Sequence, residues 1–180
     1  MTALIVYIVE ALLSLALFVV MARLLLQLTR ADFRNPLAQA IVQLTNPLIV
    51  PLRRVLPPIG KVDTASVVAV LLVAAVAVGT VSVLRGGGWP EPIVWLDALL
   101  LEIAHMLLSI YLYAIILYAL LSMIAPGGYS PLQSVLASLC EPVLRPFRRI
   151  IPPIGGLDLS PLWPTIIILA ILNNLPLMIR

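Results

Sequence analysis

Two groups of residues in this 180-residue chain have the types and spacing to do chemistry. The first is a doubled arginine pair. Arg53-Arg54 sits inside Pro47-Leu-Ile-Val-Pro51-Leu-Arg53-Arg54-Val-Leu-Pro57-Pro58-Ile-Gly60-Lys61-Val-Asp63. Arg148-Arg149 sits inside Pro142-Val-Leu-Arg145-Pro146-Phe-Arg148-Arg149-Ile-Ile-Pro152-Pro153-Ile-Gly155-Gly156-Leu-Asp158. Guanidinium pairs fixed by proline suit the docking of an acidic protein surface or of anionic lipid headgroups. Near an anionic leaflet each basic residue contributes about 1 kcal/mol. The plainer reading is a topological anchor, with each loop tied by an arginine to its own Asp63 or Asp158.

The second group lies in apolar sequence. Glu102, His105, Ser109 and Tyr113 recur at i, i+3, i+7 and i+11, one stripe of a helix. Glu10 and Ser14 stand 95 residues before His105 and Ser109. Asn173 and Asn174 fall at the same predicted depth. Charged groups at bilayer depth cost roughly 2.5–3.5 kcal/mol on insertion scales and face the bundle interior. A Glu10–His105 pair, joined by Glu102 or the asparagines, would serve proton or cation coupling, or hold helices together. The stripe stops halfway, where the facing sequence turns to Val, Ala and Leu, and this favours the structural role.

Other chemistry lacks its residues. Gly86–Gly88 has neither the lysine nor the strand–helix setting of a phosphate loop. Cys140 is the single cysteine, so it forms no intrachain disulfide. It reads as a small interfacial residue, with a reactive or lipidated thiol as the alternative. His105 has no haem-attachment neighbour. The expectation is a non-enzymatic chain with no catalytic residue, no metal and no cofactor. Its 11 basic residues are too dispersed for a nucleic-acid groove.

The elements that must position these groups are membrane helices. The chain is 62% hydrophobic and only 11% charged, with mean hydropathy +1.15; soluble domains carry about 25% charged residues. The N-terminus lacks the basic start and cleavage site of a signal peptide. Spans are predicted over about 4–28, 65–84, 93–123 and 161–179; a crossing needs ~20 residues, and the third exceeds that, so tilt or an exposed first turn is expected there. Arg23 is expected to snorkel from the first span to the interface. Short amphipathic helices are predicted at 36–45 and its counterpart from Pro131, stopped by Asn46-Pro47 and Glu141-Pro142. Four prolines in twelve residues then predict a non-helical loop, turning at Gly60. Asp63 and Thr64, like Asp158 and Ser160, are candidate N-caps. Trp89 and Trp95 suit an interfacial belt.

The two proline–arginine stretches align without a gap at an offset of 95, with 12 of 28 positions identical from Pro36/Pro131 to Asp63/Asp158. This is an internal duplication. It predicts an all-α single membrane domain over 1–180, with repeat 1 at 1–85 and repeat 2 at 93–180. Four transmembrane helices form two parallel-topology helix–motif–helix units. The connections holding Arg30, Arg34, Arg53, Arg54 and Lys61, and Arg145, Arg148 and Arg149, outweigh the turn holding only Arg85. The positive-inside bias puts both motif loops in the cytoplasm and both termini outside.

This doubled pattern, N/S-P…P-x-x-x-P-x-R-R-x-x-P-P-x-G-x-x-D before an apolar span, resembles the YggT (YlmG) family. The first copy departs mildly, with Lys61 where the second has Gly156. The resemblance implies a small membrane protein of the bacterial inner membrane or plastid. It implies links to division and nucleoid organisation, cytochrome maturation, or ion and osmotic balance, and it carries over no catalytic residue. The expected function is a scaffold or assembly factor presenting basic loops to a protein partner or anionic lipid, with homo-oligomers possible through the small-residue face of the second span. The alternative is an ion transporter or channel component using the Glu/His cluster.

Overall fold

In the computed structural model, residues 2–58, 63–124, 130–150 and 158–176 are described. The turn at Gly60, the Lys61/Gly156 contrast, Pro152-Pro153 and the stop at Pro126-Gly-Gly128 lie outside them. The described residues form six helices and no strand: α1 (Thr2–Leu28), α2 (Pro36–Val55), α3 (Thr64–Leu84), α4 (Pro92–Ile124), α5 (Pro131–Ile150) and α6 (Leu162–Asn174). Three are long and apolar enough to cross a membrane, over Ala3–Leu28, Thr64–Leu84 and Pro92–Ile124. Among the described residues of the expected fourth span, 13 are helical, about 20 Å against a hydrocarbon core of ~30 Å.

α1 packs against α2 and α3, α4 against α3, α5 and α6, and α2 lies beside α5. Leu17, Met21, Ala69, Val70, Ile115 and Leu144 are among the buried core. Leu4, Tyr7, Leu12 and Leu15 of α1, Val76 of α3 and Leu100 of α4 point outward and exposed. So much outward apolar surface on three long helices is that of a membrane protein, since a soluble monomer rarely exposes a patch of this extent.

The amphipathic helices do not stop at their first internal proline. α2 continues through Pro47 and Pro51, and α5 through Pro142 and Pro146. Each proline removes one backbone bond to the carbonyl four residues earlier. The prolines are themselves four apart, so both lost bonds fall on one edge of the helix. All four are exposed, and the freed carbonyls on that edge can be met from outside. Meanwhile Ala38, Thr45 and Ile49 pin the inner edge of α2, and Leu136, Leu139, Cys140 and Leu144 that of α5. Placement of the prolines, and not their number, decides whether the helix survives.

Polar caps set where these helices begin. Asn35 Oδ1 accepts from Leu37 N at 2.9 Å, while Asn35 Nδ2 donates to Pro131 O at 2.7 Å, tying the starts of α2 and α5. Ser130 Oγ accepts from Gln133 N at 3.1 Å. α1 and α3 end alike. Ala31 N donates to Leu26 O and Arg30 N to Gln27 O; Gly87 N donates to Ser82 O and Gly86 N to Val83 O. This closure puts one residue in the left-handed region: Gly86 at φ 82°, but Arg30 at φ 53°. Trp89 is exposed, yet its ring covers Gly79, where a Cβ would come 2.9 Å from Cζ3.

The two ends therefore respond oppositely to one kind of exchange. Arg30→Gly is expected to stabilise the protein by about 0.5–1 kcal/mol, and Gly86→Ala to destabilise it by about the same. Thermal unfolding of the two variants in one detergent checks the sign.

Candidate functional site

Each arginine pair divides its labour. Arg53 Nη2 lies 2.6 Å and Nε 3.2 Å from Asp63 Oδ2. Ser66 Oγ donates to the same oxygen at 2.7 Å and Gln27 Nε2 at 3.2 Å. Arg148 Nε donates to Asp158 Oδ2 at 2.8 Å, and its Nη1 to Glu141 Oε1. The guanidinium of Arg148 also lies over the Tyr118 ring, 5.9 Å from the centroid. In both halves the first arginine clasps the aspartate that follows it. The second arginine does not: Arg54 and Arg149 are exposed and, with Arg145, have no hydrogen-bonding or ion-pair partner among the described residues.

The aspartates cap less directly than expected. Asp63 is the N-cap residue of α3, but its carboxylate makes no bond to the helix backbone, being taken up by Arg53, Ser66 and Gln27. Asp158 Oδ1 accepts from Ser160 N at 2.9 Å, and the N-cap of α6 is Pro161. Thr64 Oγ1 donates away from its helix, to Pro57 O at 2.8 Å.

Arg23 overturns its expected role. It does not snorkel: it is 2% exposed, and Nη1 reaches Thr45 Oγ1 at 2.7 Å, Asn46 Oδ1 at 3.0 Å and Val42 O at 3.2 Å. The signal available in the sequence was the duplication itself. At the offset of 95, Arg23, Thr45 and Asn46 become Tyr118, Cys140 and Glu141. Where the first half has a cation on the spanning helix and an amide on the next, the second has an aromatic ring and a carboxylate. Cys140 is fully buried, and burial, with Glu141 beside it, pushes its thiol up to about 12.

The intramembrane residues gather elsewhere. Glu10, Glu102, His105, Ser109, Tyr113 and Asn173 line one cavity of about 480 Å³ between α1, α3, α4 and α6. Ser109 Oγ lies 3.5 Å from His105 Nδ1. Glu10 Oε2 is held by Arg85 Nη2 at 2.8 Å, a partner that the sequence reading left in the α3–α4 turn. Asn174 is not part of the cluster; it is exposed and donates to Ala170 O of its own helix at 2.8 Å. Toward α2 and α5, deeper positions on the same helices are the buried Leu17, Met21, Ala69, Val70, Ile115 and Ile168. Among the described residues no group of His, Cys, Asp or Glu is arranged to hold a metal ion.

Both clasps carry a pH dependence of known sign. Burial alone would raise the Asp63 carboxyl, but bonds from Arg53, Ser66 and Gln27 outweigh it and hold it below its usual 3.8. Burial likewise opposes, and the Ser160 and Arg148 bonds win, at Asp158. A folded-state value below the unfolded one stabilises at neutral pH, and that stabilisation is lost as pH falls below about 4. Asp63→Asn and Asp158→Asn are each expected to cost about 1 kcal/mol at pH 7 in low salt and progressively less toward pH 3. Unfolding profiles across that range, compared with wild type, check it.

A family model described as CCB3/YggT matches residues 2–84 and 98–179. A protein of Pseudomonas aeruginosa is 39% identical over 181 residues, covering 96% of this chain and 90% of its own length. The Escherichia coli protein YggT is 34% identical over 160 residues, covering 87% and 80%. A chloroplastic YlmG homolog of Arabidopsis thaliana is 39% identical over 49 residues, 27% of this chain and 20% of that one. No solved structure matches. With both segments of the chain matched by the one model, the chain belongs to the CCB3/YggT family.

Proposed function

We propose that this protein is a non-enzymatic membrane scaffold or assembly factor. Its working surface is the doubled basic face formed by Arg54 and by Arg149 with Arg145, and its partner is an acidic protein surface. The observation that carries this reading is the division within each pair: Arg53 and Arg148 are consumed by clasps to Asp63 and Asp158, while Arg54 and Arg149 stay exposed and uncommitted among the described residues. A topological anchor needs positive charge but no rigid mount. Here the mount is built twice, on α2 and α5, which lie side by side. The proposal includes four spans, two hairpins of the same direction, and both basic faces on the cytoplasmic side of a bacterial inner membrane.

A second reading, ion movement, draws on the cavity lined by Glu10, Glu102 and His105. The buried apolar layer deeper on the same helices argues against a continuous polar route, so the scaffold is the leading reading. Unaltered flux in vesicles after substitution of Glu10 and His105, or no wild-type flux, removes the second reading.

The double variant Arg54→Gln/Arg149→Gln is expected to unfold like wild type and to lose at least about tenfold of the protein cross-linked to it in native membranes. Single cysteines at 54 and 149 should be labelled from the same side. Undiminished cross-linking, or labelling from opposite sides, overturns the scaffold.

A further inference from the structure

A pocket of about 380 Å³ opens between α1 and α2, lined by Arg23, Arg53, Gln27, Gln39, Gln43 and Phe33. Two cations and three amides converge there, and their bonding is incomplete. Among the described residues, all hydrogen bonds from Arg23 leave through Nη1. Its Nε is buried with no partner among the described residues, as is Gln27 Oε1. The uncommitted Nε–Nη2 edge of Arg23 is the side of a guanidinium that grips two oxygens of a carboxylate or phosphate at once. Arg53 spends Nε and Nη2 on Asp63 and keeps Nη1.

The second half of the chain shows what is missing. There Arg148 meets two carboxylates, Glu141 and Asp158. In the first half Arg53 alone holds the one carboxylate, Asp63, and Arg23 meets none, because Asn46 stands where Glu141 does. A buried guanidinium short of an anion calls for one from outside. Arg23 lies five residues before the end of α1 at Leu28, about 7 Å along the axis, at the depth where a span meets the headgroup layer.

We infer that this pocket is a specific site for the phosphodiester of an anionic glycerophospholipid, gripped by Arg23 and Arg53. A headgroup hydroxyl donates to Gln27 Oε1, Gln39 and Gln43 enclose it, and Phe33 and Val42 form the apolar lip toward the acyl chains. A hydroxyl-bearing headgroup such as glycerol fits beside two guanidiniums; an ammonium headgroup is repelled by them. The site is single, since Tyr118 replaces Arg23 in the other half. It stands apart from the docking face, because Arg54 and Arg149 take no part in it.

The test uses the full-length protein in detergent, with phosphatidylglycerol, phosphatidylcholine or inorganic phosphate added, reading lipid retention by native mass spectrometry and thermal unfolding. Wild type should retain one phosphatidylglycerol and unfold at higher temperature with it than with phosphatidylcholine. Arg23→Lys keeps the charge but loses the fork, and should weaken retention about tenfold. Gln39→Leu/Gln43→Leu, at exposed positions that leave the fold intact, should weaken it several-fold. Arg54→Gln/Arg149→Gln should bind as wild type, so this site and the docking face fail separately. Equal retention of the two lipids, or a preference that survives both pocket variants, overturns the site. Equal stabilisation by inorganic phosphate without lipid overturns its assignment to a lipid.

Discussion

A guanidinium enclosed in an apolar bundle is the constraint on which the first half of this protein depends. Leaving such a charge without oxygens costs several kcal/mol, and Arg23 has no carboxylate within hydrogen-bonding reach. It takes instead the Val42 carbonyl, the Thr45 hydroxyl and the Asn46 amide oxygen. These three acceptors converge only if residues 42–46 keep their helical turn. The same contact therefore draws α2 onto α1 and holds it helical up to the first internal proline. Beyond that point Ile49, fully buried, and the Arg53–Asp63 clasp take over. The amphipathic helix is thus fixed along its inner edge by α1 and at its end by the entry to α3.

The second half carries its proline-bearing helix by other chemistry. α5 has the length of α2 and its prolines at the matching positions, yet its inner edge holds Leu136, Leu139, Cys140 and Leu144, with no buried cation. The charge missing from α4 is supplied by Arg148, which reaches over Tyr118 to Glu141 as well as to Asp158. Two features recur in both halves: the proline edge and the clasp of the first arginine to the aspartate. In each half the second arginine follows directly on the clasped one, and Arg54 and Arg149 are both exposed.

What could be read from sequence follows the range of each interaction. Apolar length and the doubled motif act locally or at a fixed offset, so the six helices, the family and the grouping of Glu10, Glu102, His105 and Ser109 around one space were legible. The helical course through Pro47 and Pro51 was not, because it turns on which edge of α2 faces outward, a tertiary fact. Arg23 was misplaced for a related reason. A cation near the end of a span snorkels by default, and only the turn of α2 laid across it turns that default inward. Asn174 parted from Asn173 because neighbours on a helix point about 100° apart. The Arg85–Glu10 pair joins residues 75 apart in sequence and leaves no local mark.

The two clasps and the polar cavity lie at opposite ends of the bundle, and this contrast bears on function. The α2/α5 layer is underlain by the buried core and tied by Asn35 to Pro131 O and by both clasps. The opposite end encloses the 480 Å³ space around Glu102 and His105, with Glu10 and Arg85 joined beside it. A transporter needs its polar site to communicate with both surfaces, and here buried apolar residues of the core lie between that site and the α2/α5 layer. A scaffold needs no such route; an array of charges at one surface is enough for it. Around that cavity Glu10 and Arg85 join α1 to the end of α3, while Ser109 with His105 and Asn174 with Ala170 meet within their own helices, as a structural role for these polar groups requires.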